Sequence, residues 1–206
     1  MRDDSEKQDT SQNRSFISLM NSQKLGMILL LILLCVALYF FAWREMRFFL
    51  VPSRSMEPTL NPEDMVITLN QPQYARGDIV VWSEEGEYVV KRLIGLPGDT
   101  VSVVDGALFL NGKYASEPYI YEAMDYTIET PISVPQGAFF YLGDNRNISD
   151  DSSGDVLDLG MKSLGLPAHH RFADLDAIIG KVVFRYYPYT RFGSVSSYPL
   201  RNTGGD

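Results

Sequence analysis

The sequence predicts an all-β domain that follows a single membrane-spanning helix. Three observations carry this prediction. Residues 25–43 read LGMILLLILLCVALYFFAW, without one charged side chain. From Asp64 onward, apolar residues gather in short runs rich in Val, Ile, Phe and Tyr, the composition of strands. Turn formers separate those runs: Asp105-Gly106, Asn111-Gly112, and seven prolines from Pro58 to Pro135. No stretch after residue 47 keeps a helical period, so at most a short helix is expected there.

The chain divides into three parts. Residues 1–24 are polar and of mixed charge, the composition of a disordered tail. As a helix, residues 25–43 span about 28 Å, close to the ~30 Å hydrocarbon core of a bilayer. A buried core helix would show a polar face, and this run has none. A cleaved secretory signal would end on a small-x-small site, which Phe41-Ala42-Trp43-Arg44-Glu45-Met46-Arg47 does not offer. Tyr39, Phe40, Phe41 and Trp43 gather at one end like an interfacial aromatic belt. Charge leaves the orientation undecided, because Arg14 and Lys24 stand against Arg44 and Arg47. Residues 44–206 form the remaining domain. Strands are predicted at 65–69, 78–82, 88–94, 100–104, 107–110, 138–142 and 178–186, and a loose tail after Tyr187.

Composition excludes several functions. The chain of 206 residues carries a formal charge of −8, which argues against a nucleic-acid partner and against electrostatic attraction to anionic lipid. Its single cysteine, Cys35, lies in the apolar run and cannot form an internal disulfide. No metal-ligand spacing is present, and no cofactor is expected. His169 and His170 are sequence neighbours whose side chains would point apart on an extended segment, so they read as surface-loop residues. Asp144, Asp150, Asp151, Asp155 and Asp158 raise the possibility of a calcium loop, but the required Asp, Asn and Gly spacing with a distal Glu is missing.

The chemistry is sought in Pro52-Ser53-Arg54-Ser55-Met56-Glu57-Pro58-Thr59-Leu60 and in Val89-Val90-Lys91-Arg92-Leu93-Ile94-Gly95. A serine hydroxyl becomes a nucleophile when a neighbour takes its proton. A lysine serves as that neighbour if burial disfavours its charged form, and Lys91 sits in an apolar, β-branched run. The pattern alone also fits a turn serine and a strand lysine snorkelling to water.

Resemblance separates these readings. Ser55-Met56-Glu57-Pro58-Thr59-Leu60 resembles the nucleophile box of type I signal peptidases. Gly77-Asp78-Ile79-Val80-Val81-Trp82 resembles their next box, and Lys91 to Asp99 resembles the lysine box. Gly143-Asp144-Asn145-Arg146, with Ser149, Asp151 and Ser152, resembles the last. The four boxes come in family order. The resemblance implies a convoluted β-barrel of coiled antiparallel sheets. It implies a single-pass enzyme of the bacterial cell membrane with its catalytic domain on the outer side. It also implies preproteins with signal peptides as substrates, and a monomer. Ser55 would be the nucleophile and Lys91 the base. Ser53 would join the Ser55 N–H in binding the oxyanion, and Ser149 would hydrogen-bond and orient the lysine. Asp144, Asn145, Arg146 and Asp151 would shape the scaffold. Met56, Ile79, Val80 and Val81 would wall shallow pockets that accept small residues. The twelve steps from Trp43 to Ser55 reach at most ~40 Å, which tethers the nucleophile near the bilayer.

Two departures from the family pattern stand out. Asp151-Ser152 is followed by Ser153 where the family has an arginine that pairs with the aspartate, so Asp151 needs Arg146 or another arginine. The stretch from Ser153 to Ile178 is also longer than usual, with Gly165-Leu166-Pro167 as a displaced match. Three rivals share parts of the pattern. One is a specialised Ser–Lys processing peptidase of the kind that trims conjugation proteins. Another is the self-cleaving SOS-type repressor, which is soluble and carries a DNA-binding domain, whereas this sequence offers an anchor and no helix-turn-helix candidate. The third is a catalytically silent, membrane-tethered binding module.

Overall fold

The computed structural model describes residues 24–40, 45–154 and 172–200. The chain forms two compact units, residues 1–45 and 46–206. In the first unit, residues 24–40 form a helix, α1, whose side chains are exposed throughout. Among the described residues no helix is long and apolar enough to cross a membrane. The expected 25–43 span runs into residues 41–44, which lie outside the described residues, as does the expected tail to residue 23.

The second unit is built from antiparallel strands. In chain order they are β1 (Met46–Leu50), β2 (Met65–Leu69), β3 (Ile79–Glu84), β4 (Glu87–Gly95), β5 (Thr100–Val104), β6 (Ala107–Leu110), β7 (Lys113–Tyr114), β8 (Ile128–Ser133), β9 (Ala138–Leu142), β10 (Ala173–Asp174), β11 (Ile178–Tyr187) and β12 (Gly193–Ser194). The larger sheet runs β1-β2-β11-β3-β4-β9-β10, with β12 added to β11, and the smaller runs β7-β6-β5-β8. Strands β2, β5, β6 and β9 occupy the predicted residues, while β3, β4 and β11 differ from prediction by one or two residues at an end. Strand β1 had no predicted counterpart. It is an edge strand, paired only with β2, so it needs no continuous apolar run. Strand β8 carries Pro131, which a central strand would not tolerate. It lies at the end of the smaller sheet, where a missing N–H costs little.

Three apolar clusters fill the unit. Ile94, Phe140 and Leu142 of the larger sheet pack with Val101, Val103, Leu108, Leu110 and Ile128 of the smaller, which joins the two sheets. Ile79 and Val81 pack with Val51, Met56, Leu60, Val66 and Val182. On the opposite face of β3, Val80 and Trp82 pack with Leu93, Phe139, Tyr141 and Ile178. Strand β3 is therefore covered on both faces and paired on both edges, with β11 and β4.

The segment after Tyr187 is docked, contrary to the loose tail expected. Leu200 is 4% exposed and belongs to the core between the sheets. Tyr198 stacks on Tyr119, ring centroids 5.4 Å apart. Gly77 makes room for this return. Its φ is +90°, and a Cβ there would run into the Tyr198 carbonyl.

Candidate active site

Strand β4 turns Lys91 and Arg92 to opposite faces, as successive strand residues must. Lys91 stands across from Val80 in the β3–β4 register, on the side of the Trp82–Phe139–Tyr141 cluster. This neighbourhood buries the amine to 6% exposure. Burial pushes the Lys91 pKa down, and Asp151 and then Asp150 oppose that with their negative charge.

Ser55 comes to Lys91 on a loop held at several points. Val51 donates its N–H to the Asp64 carbonyl at 2.8 Å, Leu60 donates to the Met56 carbonyl at 2.8 Å, and Met56 and Leu60 are wholly buried. The far side of the loop is fastened to residues 144 and 145. Asn145 donates its N–H to the Ser55 carbonyl at 3.0 Å, and Thr59 donates its hydroxyl to Asp144 at 2.5 Å. Gly143 makes this approach possible, since a Cβ there would collide with the Ser55 carbonyl and with the Ser149 side chain. Lys91 Nζ then lies 2.7 Å from Ser55 Oγ, a contact between two buried groups 36 residues apart. Ser53 Oγ lies 3.2 Å from Ser55 Oγ.

Arg92 forms the other half of the framework. It donates to Asp144 through Nε at 2.7 Å and Nη2 at 2.6 Å, and through Nη1 to the Gly77 carbonyl at 2.6 Å. Its guanidinium lies 3.8 Å from the centre of the Tyr119 ring. Arg146 is committed elsewhere. It holds Glu117 at 2.6 and 2.9 Å and donates to the Gly143 carbonyl at 2.8 Å. Asp151 therefore gains no arginine among the described residues. Its Oδ2 accepts the Gly143 N–H at 2.9 Å, and its Oδ1 accepts the Ser153 N–H at 3.0 Å and hydroxyl at 2.7 Å.

Two expectations are corrected. Ser149 Oγ is buried without a hydrogen-bond partner, so it does not make the bond to Lys91. Met56, Ile79, Val80 and Val81 are at most 1% exposed and do not line the cleft beside Ser55, because the strand that carries three of them is covered on both faces. The cleft of about 480 Å³ beside Ser55 and Lys91 is lined instead by Pro52, Val89, Val90 and Tyr141, with the β3–β4 hairpin and Asp150 at its rim. Part of this was within reach of the sequence. Glu87, Val89 and Lys91 alternate on one strand and share a face, so the lysine itself pointed to its neighbours. His169, His170, Asp155, Asp158 and Gly165-Leu166-Pro167 lie outside the described residues.

A family model described as signal peptidase, peptidase S26, matches residues 21–187. A signal peptidase I of Bacillus licheniformis is 41% identical over 119 residues, covering 50% of this chain and 64% of that protein. The chain thus spans just under two thirds of that relative's length. Signal peptidase I U of Bacillus subtilis (strain 168) is 31% identical over 193 residues, covering 86% of this chain and 96% of that protein. The crystal structure of a signal peptidase I from Enterococcus faecalis V583 aligns at 30% identity and a TM-score of 0.40, covering 54% of this chain and 97% of that one. The family model covers most of the chain, and the Bacillus subtilis relative matches nearly end to end; this protein belongs to the signal peptidase family, peptidase S26.

Proposed function

We propose that this protein is a membrane-anchored serine endopeptidase that removes signal peptides from exported preproteins. In this reading Ser55 is the nucleophile and Lys91 the general base. The observation that carries it is the 2.7 Å approach of Lys91 Nζ to Ser55 Oγ in a setting that lowers the lysine pKa. A neutral Lys91 takes the Ser55 proton as the oxygen attacks the peptide carbonyl and hands it to the leaving nitrogen as the C–N bond breaks, which releases the amine, leaves an ester-linked acyl-enzyme and restores neutral Lys91. Lys91 then draws a proton from water for release. The Ser55 N–H and the Ser53 hydroxyl bind the oxyanion, a role that the position of Ser53 beside Ser55 supports. Asp144, Asn145 and Arg146 act through the scaffold.

The anchor and its orientation, with the catalytic unit on the outer side of a bacterial cell membrane, belong to the same reading, as does the coiling of the two sheets into a barrel. From Leu25 onward helix α1 is apolar all round and its large side chains are exposed, which supports an anchor at residues 25–43.

The test is cleavage of a preprotein by the detergent-solubilised full chain, with the new N-terminus sequenced. Ser55→Ala and Lys91→Ala should each lower kcat by about 10⁴-fold or more with the fold intact, and the double variant should be little worse than either. Lys91 works deprotonated, so kcat/KM should rise with pH through its lowered pKa and fail in acid. Near-normal turnover by Lys91→Ala would refute the assignment.

A further inference from the structure

The site contains an acidic group that the proposed mechanism does not use. Asp151 is 4% exposed and lines the same cleft as Lys91. Its three hydrogen bonds come from two backbone N–H groups and one hydroxyl, all neutral. No Lys, Arg or His among the described residues comes within ion-pair distance of it. Arg146 is committed to Glu117, as Arg92 is to Asp144. The chain places Ser153 where an arginine was expected, and the serine satisfies the carboxylate's geometry without neutralising its charge.

We propose that Asp151, which has no cation partner among the described residues, is a positioning residue that acts through Lys91: its charge favours the ammonium form and so sets the pH at which the Ser55–Lys91 pair begins to work. The inference rests on the dyad reading above.

The groups facing Lys91 come from every element around it. The Ser55 hydroxyl comes from the loop after β1. Glu84, Glu85 and Glu87 line the cleft at the β3–β4 hairpin, Tyr141 comes from β9, and Asp150 and Asp151 come from the segment after β9. Arg92 faces away and is neutralised by Asp144. Among the described residues, the charged side chains that line the cleft with Lys91 are all carboxylates, and of these Asp151 is the buried one. A charge shielded from water acts at full strength over a few ångströms, whereas exposed ones are screened. The field of Asp151 is also felt at Tyr126, whose hydroxyl is pushed up to about 12 by burial first and by Asp151 second.

The experiment measures kcat/KM against pH for the full chain on a peptide carrying a signal-peptide cleavage site. Asp151→Asn should move the acid limb to lower pH, giving roughly three- to tenfold higher kcat/KM on that limb relative to the plateau. Ser153→Arg, which supplies the missing cation, should move it the same way. Ser153→Ala, which leaves the charge, should not. Asp150→Asn removes an exposed carboxylate and should move the limb down by less. An acid limb that stays in place or moves to higher pH in whichever of Asp151→Asn and Ser153→Arg retains its thermal transition would overturn the proposal. If neither folds, Asp151→Ser, which removes the charge and keeps a polar group, is read in the same way, and an unmoved limb overturns it. The dyad reading fails separately, on a wild-type limb that survives loss of Lys91.

Discussion

Replacing Asp144 with alanine should damage this protein more than its distance from the reacting atoms suggests. The side chains of Asp144 and Arg92 are 0% exposed and meet through two parallel hydrogen bonds of 2.7 and 2.6 Å. Asp144→Ala leaves the guanidinium in place with the Gly77 carbonyl and the Tyr119 and Tyr198 rings around it and no counter-charge among the described residues. Stranding one buried charge in this way costs about 3–5 kcal/mol. That is a large part of the 5–15 kcal/mol by which a domain is ordinarily stable. At roughly 2–4 °C per kcal/mol for a chain of this size, the thermal midpoint should fall by about 6–20 °C. Far-UV circular dichroism of the full chain in detergent reads this directly. Arg92→Met combined with Asp144→Leu removes both charges and keeps the volume, so it should recover most of the loss. Activity should fall further than stability in Asp144→Ala at a temperature where the variant is folded. Asp144 also accepts the Thr59 hydroxyl, which ties the Ser55 loop to the strand bearing Lys91. A midpoint within 2 °C of wild type, or a double variant as unstable as the single one, would refute the reasoning.

Gly143→Ala should lower kcat/KM by about 100-fold or more with a nearly normal substrate KM, since the new methyl must push the Ser55 carbonyl or Ser149 aside and ångström shifts at the nucleophile are costly. Steady-state kinetics at the plateau pH checks this, and an active Gly143→Ala would mean that the loop yields freely. Leu200→Ala should destabilise the second unit by about 2–4 kcal/mol in a denaturant titration, because Leu200 fills the core between the two sheets.

The parts of this structure that were legible in the sequence are those where one physical requirement dominates a short window. Strands β2, β5, β6 and β9 are runs whose apolar residues have to be buried, and the Asp105-Gly106 turn fixes the register of β5 against β6. The Ser55–Lys91 pair was legible for a different reason. Its two residues are 36 apart, and no periodicity links them. The motif boxes linked them, and the geometry then brought them to 2.7 Å. What escaped the sequence was set by the environment on both sides of an element. Strand β1 and the docked residue Leu200 are held by partners distant in the chain, β2 for the first and the core between the two sheets for the second. Ile79, Val80 and Val81 read equally well as pocket walls and as core, since a β-branched run has the same composition in either place. Only the packing against both faces of β3 decides for the core. The same logic applies to Ser153. Its sequence showed that an arginine was missing, but whether Asp151 would borrow Arg146 depended on where Glu117 lies, 29 residues before that arginine. Glu117 takes Arg146, so the charge of Asp151 stays in the cleft with Lys91. A substitution that reads as the loss of a scaffold contact thereby leaves, in three dimensions, a buried carboxylate in the cleft that Lys91 also lines.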